Sequence, residues 1–165
     1  MRKSQDIIGL PVIHVNTGKQ LGRVKDLLFD RQQYLRGVLL ESGGWVRRGR
    51  YIPTERIGSL GEDAVMVNSE ADILPLNEAQ NQWVGLLTGQ RKLKGLPVMQ
   101  SDGRELGMVE DVYFMEEMGT LMGYELSDGF INDLRLGRKI YQPDSPLTWG
   151  KDALITAEGE LFQDV

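Results

Sequence analysis

The sequence predicts an all-β protein: two tandem, small antiparallel β-barrels joined by a short linker helix. Three observations predict it. The stretch Gly9 to Asp30, GLPVIHVNTGKQLGRVKDLLFD, returns as Gly95 to Met115, GLPVMQSDGRELGMVEDVYFM, and an internal repeat of this length fixes an architecture of similar units. Short β-rich runs alternate with Gly- and Asx-containing turns, the spacing of a small barrel or sandwich. Twenty glycines and six prolines supply the many turns that such a protein needs. The division is residues 1–75 for the first barrel, 76–94 for a linker with a short helix, and 95–165 for the second barrel. Units of roughly 80 residues are just large enough to hold their own small cores.

Taken in order, Leu10 to Val15 is a short strand with Pro11 near its start, where a missing N–H is tolerated. Asn16-Thr17-Gly18-Lys19 turns it back, as Ser101-Asp102-Gly103-Arg104 does in the second copy with one residue fewer. The next strand, Leu21 to Phe29, carries Leu-Gly-x-Val-x-Asp at Leu21–Asp26, repeated at Leu106–Asp111. It is apolar on both faces past the acid, which predicts a bulge that redirects its side chains. Leu35 to Glu41 and its counterpart Leu121 to Ser127 form the third strand. Trp45 to Ile52 reads as a further hairpin, and Ala64 to Val67 as a last strand. Gly49-Arg50 lines up with Gly137-Arg138, and Asp63-Ala64 with Asp152-Ala153. Asn77 to Gly89 breaks the β pattern: Asn77 can cap a helix, with Trp83, Leu86 and Leu87 at helical spacing. These three apolar residues are expected to pack between the barrels. The acidic end, Ala157 to Val165, is expected to fray.

Composition narrows the function. The net charge of −5 disfavours nucleic acid as a partner, since that usually requires a basic domain or stripe. Absence of cysteine excludes disulfides, thiolate catalysis and zinc–thiolate sites. No apolar run approaches the ~20 residues of a membrane-spanning helix, and the first residues do not read as a signal peptide. A cytoplasmic protein is expected, and a homo-oligomer is compatible with the composition.

No constellation points to catalysis, a cofactor or a metal. His14, the lone histidine, has Gln100 as its counterpart, so the fold does not need an imidazole there. Asp26 and Asp111 recur without a second fixed acid or a histidine nearby in sequence, and are read as acceptors for turn backbone. Glu110, Asp111, Glu116 and Glu117 lack the alternating ligands of a calcium loop. The concentrated positive feature is the tip Trp45, Arg47, Arg48, Arg50 and Tyr51, three guanidinium groups flanked by aromatics. Bidentate arginine contacts suit an anionic partner. Arg135, Arg138 and Lys139 stand near the matching place in the second copy. The expected partner is another protein.

The recurring Gly-x-x-Val, Gly-containing turn, Leu-Gly-x-Val-x-Asp and Gly-centred strand resemble the PRC-barrel domain. That domain takes its name from the H subunit of the photosynthetic reaction centre and also forms the C-terminal half of a ribosome-maturation factor. The resemblance covers nearly the whole chain in two copies and is nearest to small tandem two-barrel proteins of bacilli. It implies a compact, strongly bent antiparallel barrel per repeat and a binding or scaffold role without enzymatic activity. The alternative that it implies is an accessory factor of RNA or ribosome metabolism. The chain has neither the membrane-spanning helix of the reaction-centre subunit nor the different N-terminal barrel of the ribosome factor.

Overall fold

The structure, a computed structural model, describes residues 1–41, 49–117, 119–129, 137–157 and the backbone of 162–164. In chain order come β1 (Arg2–Lys3), helix α1 (Ser4–Ile7), β2 (Pro11–His14), β3 (Gln20–Phe29), β4 (Leu35–Leu40), β5 (Arg50–Pro53), β6 (Ile57–Leu60), β7 (Val65–Val67) and β8 (Leu74–Pro75). There follow β9 (Val84–Gly85), β10 (Pro97–Gln100), β11 (Glu105–Phe114), β12 (Leu121–Ser127), β13 (Lys139–Tyr141), β14 (Thr148–Trp149), β15 (Leu154–Thr156) and β16 (Phe162–Asp164). One sheet has the order β6-β7-β2-β3-β4-β5-β8 and the other β14-β15-β10-β11-β12-β13-β16, so the repeat seen in the sequence is a repeat of topology.

The long strands β3 and β11 bend where the sequence predicts. Pairing with the next strand shifts register between Val24 and Asp26 in one repeat and between Val109 and Asp111 in the other. The extra residue of each bulge, Lys25 or Glu110, resets the alternation, so that Leu27 and Phe29, and Val112 and Phe114, face the core, while the acid and Leu28 or Tyr113 are buried on the opposite face. Asp26 and Asp111 are both buried, as are Leu27 to Phe29 and Val112 to Phe114. Close approach requires glycine in β4: a Cβ on Gly37 would stand 2.9 Å from the Tyr51 ring.

The two sheets are interlocked. β1, which precedes the first repeat, pairs with β11 of the second, Arg2 opposite Phe114 and Lys3 opposite Tyr113. β9, which precedes the second repeat, pairs with β3 of the first, Val84 opposite Phe29 and Gly85 opposite Leu28. Each repeat is therefore completed by the segment that leads into the other. The β3–β4 and β11–β12 turns also meet: Leu35 N–H donates to Gly119 O at 2.7 Å and Leu121 N–H to Gln33 O at 3.2 Å. That reciprocity is what an approximate two-fold relation between the repeats requires. One continuous core runs through both, including Val12, Phe29 and Ile52 of the first and Val98, Phe114 and Tyr141 of the second.

Two expectations are corrected. Residues 77–89 form one 3-10 turn, Glu78–Gln80, and then β9. The start signal is real, because Asn77 makes a capping box with Gln80. The helix stops because the amides of Leu86 to Thr88 donate to Asp26 instead of to the preceding turn. Trp83, Leu86 and Leu87 do pack inward: Leu86 and Leu87 belong to the core and its margin, and Trp83 meets the Tyr51 ring edge-on at 5.6 Å. At the chain end, 162–164 does not fray but pairs with β13.

Candidate functional site

The recurring aspartates hold the interlock. Asp26 accepts from the N–H groups of Leu27, Leu86, Leu87 and Thr88 and from the Thr88 hydroxyl, at 2.6–3.2 Å. Gly85 lies against it so closely that a Cβ there would stand 2.4 Å from Asp26 Oδ2. Burial pushes the Asp26 carboxyl above its ordinary value, and these donors pull back against it. Asp111 does the same for the other leading segment with fewer donors: Val112 N–H at 2.7 Å and Gln5 N–H, at the start of α1, at 3.2 and 3.3 Å. Burial pushes its carboxyl up to about 6, and the nearby Glu125 adds to the rise while the Val112 and Gln5 bonds and Lys3 oppose it. The sequence reading of both acids as backbone acceptors holds, and apart from the next residue of the same strand the donating backbone belongs to the exchanged segments.

The sign of the resulting pH effect is fixed. The folded chain keeps the Asp111 proton up to about pH 6, whereas the unfolded chain releases it near pH 4, at about 3.9. Between these values the folded state binds more protons, so stability falls as pH rises and the loss is complete above the folded value. Relative to Asp111→Asn, the urea midpoint of the wild-type protein is expected to decline from about pH 4 to about pH 7. A difference that stays constant across that window contradicts the assignment.

Beside Asp111 lies an ion-pair network that the sequence did not reveal. Glu125, buried, meets Lys3 Nζ at 3.2 Å and Arg138 at 3.1 Å, and Glu110 meets Lys94 at 3.3 Å and Arg138 at 3.8 Å. Its members come from β1, β11, β12, the residue before β13 and the segment before β10, so no local spacing signals it. A buried carboxylate requires such partners.

The predicted partner-binding residues separate in space and in role. Trp45, Arg47 and Arg48 lie outside the described residues, as does Arg135. Arg50 is half-buried at the start of β5 and makes no ion pair among the described residues. Tyr51 is buried on the face opposite Ile52 and the shared core, where Trp83 covers it, and so it does not flank an exposed tip. Arg138 is held by Glu125 and Glu110. Lys139 stands opposite Leu126, the register place that Arg50 takes opposite Leu40. The structural counterpart of Arg50 is therefore Lys139, one residue beyond the match read from sequence. His14 is the last residue of β2 and half-buried, and its Nδ1 accepts from Asn16 N–H in the following turn at 3.1 Å. Among the described residues there is no cluster of histidine, aspartate and glutamate that could hold a metal ion, and no helix is long and apolar enough to cross a membrane.

Two interlocked, bent, mainly antiparallel sheets, each with one parallel pair (β2 with β7, β10 with β15), and a buried aspartate after the long-strand bulge define a tandem barrel of one kind. The model of the PRC-barrel domain matches residues 1–74 and again 89–160, and the chain belongs to that family. It is 30% identical over 158 residues to the uncharacterized protein YrrD of Bacillus subtilis, an alignment covering 94% of this chain and 87% of that one. It is also 34% identical over 67 residues to an uncharacterized protein of Clostridium acetobutylicum, covering 37% of this chain and 77% of the relative.

Proposed function

We propose that this two-barrel chain is a non-enzymatic cytoplasmic adaptor that docks an anionic protein surface through the basic segment around Trp45, Arg47, Arg48 and Arg50. The observation that supports this reading is a charge difference between equivalent places in the repeats. In the second repeat, Glu110 and Glu125 neutralise Arg138. The first repeat has Lys25 in place of Glu110 and Leu39 in place of Glu125, by the register of β3 with β4 and of β11 with β12. The first basic segment thus lacks the two acids that answer the second, and a partner's carboxylates would supply them with charge-assisted hydrogen bonds. The recurring carboxylates, which otherwise invite an acid–base reading, are occupied by backbone donors.

The test is a quantitative pull-down from native lysate with and without nuclease, comparing wild type with Arg47→Glu, Arg48→Glu, Arg50→Glu. A protein retained by wild type, resistant to nuclease and lost from the triple variant is expected, and the purified protein should then bind directly with an affinity that falls as salt is raised. Retention that disappears on nuclease treatment supports an RNA-linked accessory role instead. Identical partners for both chains rule out the basic segment.

A further inference from the structure

A cleft of about 410 Å³ lies where the turn before β4 meets β14 of the other repeat, a volume in the range of small-molecule sites. Its floor is apolar and buried: Leu93 from the exchanged segment, Leu147 before β14, and Leu154 of β15. Trp149 forms a wall and is held in place, its indole N–H donating to Tyr124 Oη at 2.9 Å and its ring set edge-on to Phe29 at 6.4 Å. Arg31 and Arg91 line the same cleft and are exposed. No carboxylate lines it.

The corresponding elements of the other half make a comparison. There the turn residues Glu116 and Glu117 face β6 across a cavity of about 380 Å³ with Glu55 also in its lining. That acidic cleft has a cation of its own. Arg2 donates to Leu60 O at 2.7 Å and to Gly61 O at 2.8 Å, and stands 3.9 Å from Glu116. In the basic cleft the register place of Arg2 is taken by Val84, since these residues stand opposite Phe114 and Phe29. Neither Arg31 nor Arg91 has an ion-pair partner among the described residues. One cleft thus sets an arginine against its carboxylates, and the other presents two guanidinium groups above a hydrocarbon floor.

The lip of the basic cleft is also built at a conformational cost. Gln33 has φ +68°, the sole positive φ outside glycine among the described residues, and its counterpart across the pseudo-symmetry is Gly119 at φ +67°. A glycine would hold that turn without strain. The glutamine side chain crosses the cleft instead, donating from Nε2 to Leu147 O at 2.6 Å. This contact fixes the turn that carries Arg31 relative to the Trp149 wall, the kind of preorganisation that favours binding.

We infer that this inter-repeat cleft binds a small organic carboxylate with a hydrocarbon body, its carboxylate held by Arg31 and Arg91 and its body on the Leu93, Leu147 and Leu154 floor beside Trp149. Arg50 and Tyr51 are not among its lining residues. NMR titration of the whole chain tests it, with 3-phenylpropanoate, 3-phenylpropanamide and acetate as probes. Shifts of the Trp149 indole N–H and of the Leu147 and Leu154 methyls are expected with 3-phenylpropanoate at about millimolar concentration. The amide and acetate should each bind about 10-fold more weakly or less, because one lacks the charge and the other the apolar body. Arg31→Gln with Arg91→Gln should remove at least about 10-fold of the carboxylate affinity while leaving the melting temperature unchanged. Equal binding of the amide, full retention of affinity in the double variant, or no shift at about 10 mM, far above the affinity range of a built site, overturns the assignment.

Discussion

Asp26→Ala is expected to lower the unfolding free energy by about 3–5 kcal/mol, because several buried N–H donors lose their acceptor at once. The donors are not local. Leu27 N–H is the neighbour in sequence, but Leu86, Leu87 and Thr88 lie in the segment that leads into the second repeat. Alanine leaves these amides beside a void that the Gly85 backbone lines, and the neighbouring Thr88 hydroxyl loses its acceptor as well. Asp26→Asn keeps one acceptor oxygen but turns an NH2 group toward the remaining donors, so it should fall between alanine and wild type. Equilibrium urea unfolding measures both. An alanine variant within about 1 kcal/mol of wild type, the ordinary effect of an exposed substitution or less, contradicts the role given to Asp26.

Removing Met1 to Ile7 is expected to cost about 4–6 kcal/mol, although the deleted residues precede the first copy of the repeated stretch. Ile7 is fully buried, and losing it alone forfeits about 2–3 kcal/mol of apolar burial. Gln5 N–H leaves Asp111, and Lys3 leaves Glu125, so two buried carboxylates lose donors together. Arg2 leaves the carbonyls of Leu60 and Gly61. The damage therefore falls on both repeats and hardest on the second. Against a typical stability of about 5–15 kcal/mol, the shortened chain should be marginal in urea unfolding. A loss below about 1 kcal/mol would show that β1 and α1 are ornaments on two self-sufficient barrels.

Much of the fold was legible because the repeat carried its own alignment. Val12 and Val98, Val24 and Val109, and Phe29 and Phe114 are buried in pairs, and the bulge before each aspartate follows from apolar residues on both faces of one strand. Asp63-Ala64 and Asp152-Ala153 also correspond, for Gly61 and Gly150 donate to Ala64 and Ala153 in the same way. The exchange was not legible, since Arg2-Lys3 and Val84-Gly85 share no pattern and their partners in β11 and β3 are distant in sequence. The expected helix failed for a tertiary reason: Gly85 and the amides after it answer to Asp26 rather than to helical spacing. Of the site, the first basic segment could be read as a run of charge. That Trp83 covers Tyr51 and that Arg138 is neutralised depend on contacts distant in sequence, which composition does not report. Arg31 and Arg91 gave no signal at all, because the cleft that joins them exists only between repeats.

The interlock itself is tested most directly by inter-strand NOEs in the intact protein. The account expects contacts of residues 2 and 3 with Tyr113 and Phe114, and of Val84 and Gly85 with Leu28 and Phe29. Contacts of residues 2 and 3 with Leu28 and Phe29, and of Val84 and Gly85 with Tyr113 and Phe114, would mean that each barrel is completed by its own leading segment and would contradict it.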